Sequence, residues 1–169
     1  MVAGPGDEAV IFIDANIFLT TILGTGNEAA ASARFLEQAD AGIFPAATSV
    51  IILNGVLHRL IIGSVVNSSG VAPESAIHLV KLHPELIRDA GEAFEIMDDI
   101  RSIHSMEIFG ISPPTFNRSL TIMQEWGLLG NDALHVACME EHAISTIATY
   151  DRDFSRVDGI KIRKPAEAD

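Results

Sequence analysis

Apolar residues recur along this chain in short blocks separated by polar breaks. Ala9-Val10-Ile11-Phe12-Ile13 is a continuous apolar run ending in Asp14, the pattern of a strand buried on both faces. Asn16 to Leu23 then reads as a short helix, broken by Gly24-Thr25-Gly26. Asn27 can cap a second helix with Ala31, Phe35, Leu36 and Ala39 along one side, ended by Gly42. Phe44 to Thr48 is a short second strand interrupted by Pro45. Ser49 can cap the next helix, through Val50, Ile51, Leu53, Leu57, Leu60 and Ile61, and Asn67-Ser68-Ser69-Gly70 reads as a loop.

The middle of the chain is helical. Pro73 and Glu74 suit a first turn, in a helix that includes Ile77 and Val80. Pro84 opens another, running to about Ile103 with Leu86, Ala90, Ala93, Phe94, Met97 and Ile100 inward. Met106 to Ile111 predicts a third strand. Ser112-Pro113-Pro114 starts a helix to about Trp126, and Asn131 to His142 is a further helix with Asn131 as its cap. Ser145 to Tyr150 and Ile160 to Ile162 complete the strands. Alternating strands and helices predict an α/β fold: three layers, α/β/α, around a central parallel sheet, with extra helices in the middle. No linker or repeat divides residues 1–169, so one domain is expected, with a frayed start at 1–8 and a polar tail at 164–169.

Composition narrows the class. Hydrophobic residues make up 48% and charged residues 20%, which excludes disorder. No charged n-region followed by an apolar stretch opens the chain, so no secretory signal is expected. No apolar run approaches the roughly 20 residues needed to cross a bilayer. The single cysteine, Cys138, reads as a small buried helix residue and fits a cytoplasmic location. The net charge of −12 opposes strong non-specific binding to nucleic acid. Arg59, Lys81, Arg88, Arg101 and Arg118 are available to gather on one face.

The candidate chemistry is acidic. Asp14 follows the first strand, Asp132 opens a helix, and Asp151 follows a later strand. Singly, each is a cap or turn residue. In a parallel sheet the carboxyl ends of neighbouring strands face one crevice, and three carboxylates there repel unless cations intervene. Hard oxygen ligands suit Mg²⁺ or Mn²⁺, ions able to activate water and stabilise charge on a phosphoryl oxygen. Phosphate loops, zinc spacings and nucleophile turns are absent. His135 and His142 read as core-edge or surface residues.

Four segments together resemble the PIN-domain family, and within it the VapC-like toxin ribonucleases. They are Ile11 to Leu19, Thr48-Ser49 through Val56-Leu57, Asn131 to Ala137, and Ala148 to Phe154. The resemblance implies a PIN-like fold and Mg²⁺- or Mn²⁺-dependent cleavage of RNA. Asp14, Asp132 and Asp151 are then catalytic and metal-site acids. Asn16 positions groups near the first acid, and Ser49 or Thr149 bonds a carboxylate or a water. Asp153 is a peripheral acid or orients the turn. The implied partners are an RNA substrate, a cognate antitoxin protein and a second copy of the chain, with no membrane. Other readings remain open: a non-catalytic RNA- or protein-binding module, or a nuclease in ribosomal-RNA processing or on structured DNA.

One position departs from the family. Where its members carry a Glu before an apolar pair, Gly55 precedes Val56-Leu57. Asn54 is about 100° away around the helix and is a poor substitute. Gly55 leaves three alternatives: a site working with three acids and an extra water, a natural member that binds without cutting, or a disabling change.

Overall fold

The central strand sets the architecture. In the computed structural model, which describes residues 9–166, β1 (Ile11–Ile13) has all three side chains at 2% exposure or less. Each such burial contributes about 1.5–3 kcal/mol. Residues 1–8, expected to fray, and 167–169 of the expected tail lie outside the described residues. By contacts the chain forms two compact units. One combines the chain up to Ile52 with the chain from Ile103 onward; the other is Leu53–Ser102.

The first unit holds the sheet. β2 (Ala46–Ser49), β3 (Met106–Phe109), β4 (Thr146–Ala148) and β5 (Lys161–Arg163) join β1 in the order β3-β2-β1-β4-β5, every pair parallel. Phe12 pairs with Ile147, and Ile147 with Ile162, while Ile13, Ala148 and Arg163 align one step on. Alternation sends these two rows to opposite faces. The Arg163 row meets Phe35 of α2 (Gly26–Asp40), which packs with α1 (Ala15–Leu23). The Phe12 row meets His135 of α8 (Gly130–Glu141), which packs with α7 (Pro113–Trp126). Helices thus cover both faces of a parallel sheet, the expected three-layer α/β/α arrangement. From β1 the chain turns to β2 on one side and later returns to β4 on the other, so the order reverses between β1 and β4.

The second unit is helical. α3 (Val50–Ser69) begins in the first unit and continues here, followed by α4 (Pro73–Leu82), α5 (Glu85–Arg88) and α6 (Gly91–Ser102). Val65, Ala76 and Val80 form a small buried cluster, joined by Ile62, Val66, Val71, Leu79 and Leu86.

Several expectations are corrected. α3 runs through Asn67-Ser68-Ser69, expected as a loop, because the stop is Gly70. Its φ of 66° is left-handed, and its N–H closes on Val66 O at 2.9 Å. α3 also reaches 20 residues at a mean hydropathy of 1.7, so one segment does have the length and composition of a membrane span. It lies mid-chain, exposes His58 and Arg59, and buries Ile52, Val56 and Leu60 at helical spacing along one face. The single helix expected over 84–103 is two helices, separated where Asp89 and Gly91 lower the helical tendency, and Phe94 is 40% exposed instead of inward. α2 starts at Gly26 after Thr25, with Asn27 inside it; Leu36 is half-buried, and Ser32 is buried beside Ala31, Phe35 and Ala39.

The start of α7 is fixed by local bonding. Ser112 Oγ accepts from Thr115 N at 3.2 Å, and Ser112 N donates to Thr115 Oγ1 at 3.3 Å, a reciprocal capping box. Ser112→Ala should lower stability by about 1 kcal/mol. The check is the urea midpoint, which should fall at unchanged slope; an unaltered midpoint would show that the box contributes nothing.

Candidate functional site

The reversal between β1 and β4 leaves a crevice at their carboxyl ends, and Asp14 sits in it. Its backbone is extended (φ −80°, ψ 157°), because it ends the strand and caps α1. The Asp14 N–H continues the ladder to Ala148 O at 3.1 Å, and Thr48 Oγ1 donates to Ile13 O at 3.0 Å. Asp14 is 7% exposed. Oδ1 accepts from Ala15 N at 2.7 Å; Oδ2 accepts from Asn16 Nδ2 at 2.6 Å and from Thr149 Oγ1 at 2.7 Å.

Thr149, buried just beyond β4, is the hub. Besides donating to Asp14, its oxygen accepts from Asn16 Nδ2 at 2.8 Å and from Asp151 N at 3.0 Å. The Tyr150 N–H donates to Asn16 Oδ1 at 3.2 Å, which fixes the orientation of that amide. Asp151 Oδ1 accepts from Asp153 N at 2.8 Å, turning the chain into a 3-10 turn, Asp153–Arg156. Asp132 lies in the first turn of α8. That helix starts after Leu129, with no side-chain cap, so Asn131 is inside it instead of capping it.

The acids share one electrostatic field. Asp132 is pushed up to about 6, first by burial and then by the negative charges of Asp151, Asp14 and Asp153. Asp14 is also raised: burial dominates and Asp151 adds to it, while bonds from Thr149 and Ala15 pull the other way. Among the described residues, no Lys, Arg or His forms an ion pair with Asp14, Asp132 or Asp151; Asp153 pairs with Arg156 at 2.8 Å.

The other expected positions divide. Asn16, Thr149 and Asp153 join this cluster. Ser49 is buried at the end of β2, where its hydroxyl accepts from Ile52 N at 3.4 Å, and no bond to a carboxylate is present among the described residues. Gly55 lies in the second unit. A Cβ built there meets no atom within 4 Å, so nothing in the packing requires glycine.

Sequence reading missed three supports: Thr48 under β1, Tyr150 against α2, and Arg156, which bonds both Asp153 and the Gly127 carbonyl. The i,i+3 spacing of Asp153 and Arg156 was the available signal for the last. His135 is a core residue, pulled down to about 4 by burial, with Nδ1 lacking a hydrogen-bond partner among the described residues.

A family model described as PIN domain matches residues 11–160. The chain belongs to the PIN domain family. Within it, the Mycobacterium tuberculosis protein named ribonuclease VapC48 is 34% identical over 84 residues, a match covering 50% of this PIN domain's chain and 56% of that protein. The chain thus spans about half the length of the curated relatives it matches. Two solved structures share the fold. VapBC2 from Rickettsia felis, bound to a DNA fragment from their promoter, has a TM-score of 0.59 at 15% identity, covering 92% of this chain and 98% of that one. A toxin–antitoxin complex from Klebsiella pneumoniae has a TM-score of 0.57 at 19% identity, covering 94% and 99%.

PIN ribonucleases generally use divalent metal ions. The donor set here is chemically suited to one: hard oxygens only, with a mutual repulsion that a cation would relieve. Among the described residues, no three His, Cys, Asp or Glu side chains converge closely enough to hold an ion on their own.

The raised Asp132 has a stability consequence with a definite sign. Between its ordinary value near 4 and its folded value near 6, the folded state binds more protons than the unfolded state, so stability falls as pH rises through that window. Asp132→Asn should therefore flatten the pH 4–6 dependence and raise stability at pH 7 by about 1 kcal/mol, after discounting for solvent screening. Urea unfolding across pH 4–7, without divalent ions, tests this; parallel profiles for the two proteins would refute it.

Proposed function

We propose that this PIN domain is an Mg²⁺- or Mn²⁺-dependent endoribonuclease, the toxin of a toxin–antitoxin pair, with activity weakened or abolished by Gly55. The observation that carries this reading is the placement of three mutually repelling carboxylates at the point where strand order reverses. Family membership and the 34% match to a protein named ribonuclease support it. The family match runs across both compact units, which supports reading the chain as one domain. The proposed partners are RNA, an antitoxin and a second copy of this chain. Support comes from the fold likeness to toxin–antitoxin structures, and from an acidic crevice well suited to a basic side chain of an antitoxin. The free, buried thiol of Cys138 supports a cytoplasmic location.

Asp14, Asp132 and Asp151 would hold the ion, which when bound supplies a more acidic water and stabilises charge on the phosphodiester. The protein's own contribution is positional. Thr149 and Asn16 hold Asp14 Oδ2 in one orientation, and the Ala15 N–H holds Oδ1. Asp153 fixes Asp151 through its N–H. Asp132, pushed up to about 6, is ionised at pH 7 and available as a base or ligand.

Gly55 favours a second reading, a non-catalytic module that keeps the fold and binds RNA or protein. Nucleases of ribosomal-RNA processing or of structured DNA are further alternatives, separated by competition between single-stranded RNA, duplex RNA and flapped DNA. The decisive assay is RNA cleavage with Mg²⁺ or Mn²⁺ by the parent, Gly55→Ala, Gly55→Glu and Gly55→Glu/Asp14→Asn proteins. Both Gly55 variants fill open space and gain about 0.5–1 kcal/mol of helix stability. Only Gly55→Glu should gain activity, and Asp14→Asn, introduced into it, should lose at least about 10–100-fold. Equal activity in all four proteins would overturn the site.

A further inference from the structure

An acidic crevice repels a polyanion, so a ribonuclease built on one needs a cation at its rim to hold the phosphate chain. Among the described residues, Arg156 is the cation that pairs with an acid of the cluster: its Nη2 donates to Asp153 Oδ1 at 2.8 Å. Arg101 is held by Asp98 at 3.1 Å, and Arg118 by Glu140 at 2.7 Å and by Glu125, all acids outside the cluster.

Arg156 lies at the crevice end of the sheet, in the first unit. Asp151 follows the carboxyl end of β4, its Oδ1 accepts from Asp153 N at 2.8 Å, and the 3-10 turn Asp153–Arg156 comes next. On the other side, Arg156 Nη1 donates to the Gly127 carbonyl at 3.4 Å. Gly127 ends α7, and Asp132 follows in the first turn of α8. One guanidinium therefore spans from the segment bearing Asp151 and Asp153 to the segment that leads into Asp132.

Folding gives little reason for this placement. The side chains of Arg156 and Asp153 are 52% and 45% exposed, and a pair in that much water adds little stability. The turn has its own anchors: Phe154 is fully buried, Ser155 N and Oγ both donate to Arg152 O, and Val157 N donates to Phe154 O. A guanidinium carries several N–H donors in a planar fork. Two are engaged, on Asp153 and Gly127, and half of the side chain is in water. Donors therefore remain for a second acceptor, and a phosphodiester offers the paired oxygens that such a fork fits.

We propose that Arg156 grips a backbone phosphate of RNA at the rim of the acidic crevice, exchanging Asp153 for the phosphate as the RNA enters. It rests on the ribonuclease reading and deepens it by naming the residue that holds the substrate's backbone. The contact is to phosphate and reads no base. Asp153 has a second role here: it occupies the fork in the absence of RNA and competes with the phosphate for it.

The test is binding of a short fluorescein-labelled single-stranded RNA to the full chain, followed by anisotropy in Ca²⁺ with salt varied. Arg156→Gln keeps a donor for the Gly127 carbonyl and removes the charge. It should weaken binding roughly tenfold and reduce the salt slope by about 0.7, the share of one phosphate contact. Arg156→Lys should restore the slope. Arg101→Gln, which breaks another exposed i,i+3 pair, should bind as the parent does. Asp153→Asn releases the fork and should tighten binding about threefold, a gain that Arg156→Gln should erase. Urea midpoints separate lost binding from lost folding, and Arg156→Lys and Asp153→Asn decide the matter if Arg156→Gln does not fold. Four outcomes overturn the contact: no RNA binding by the parent, equal weakening in Arg156→Gln and Arg101→Gln, Arg156→Lys binding no better than Arg156→Gln, or the same gain from Asp153→Asn with and without Arg156. Cleavage by Gly55→Glu is scored separately. RNA binding that depends on Arg156 without any cleavage by Gly55→Glu refutes the nuclease alone; cleavage with binding indifferent to Arg156 refutes the contact alone.

Discussion

The bond from Thr149 to Asp14 is the contact on which the site depends. One buried hydroxyl joins the ends of the two central strands, and Asn16 completes the triangle. Without it, two strand ends would each carry a free acid and the crevice would have no fixed shape. The geometry follows from simpler constraints. A parallel sheet buried on both faces needs apolar strands, and those strands end where the apolar run ends. Asp14 directly follows Ile13, the last residue of β1, and Asp151 lies just beyond Ala148, the last residue of β4.

Cooperation among these groups is costly in isolation. Burial raises Asp14 and Asp132, and the acids raise one another. A purely structural cluster would be better served by amides. Capping explains Asp14, and the macrodipole tolerates Asp132, but neither explains why both face Asp151. Perturbed acids gathered in one crevice are a signature of chemistry.

Much of this was legible in the sequence because it is local. Apolar runs marked β1 and β4, Pro113 marked α7, and the strand-helix alternation carried the three-layer fold. What was not legible depended on competition or distance. Asn131 is a better cap than Leu129 by residue type, yet the helix begins a residue before it. Asn67-Ser68-Ser69 reads as a loop, but Gly70 is the residue able to take the left-handed turn that stops α3. Of the cations expected to gather, Arg118 and Arg101 are spent on nearby carboxylates. Arg34 and Arg163, which were not in that set, line one cavity and meet only through tertiary structure, being far apart in the chain. The acidic set was visible because each member sits at an element boundary; the Thr149 hub needed the strand order.

The separation between the joined residues has a consequence for synthesis. Asp14 and Thr149 are 135 residues apart, and β1 is the central strand with β4 as its neighbour. A chain emerging from the ribosome can pair β1 with β2 early, but one side of β1 stays open until β4 arrives. Contacts this distant form late, after their loop-closure entropy has been met. The crevice therefore does not exist on a nascent or prematurely ended chain. A site built this way is incomplete until nearly all of the domain has been made.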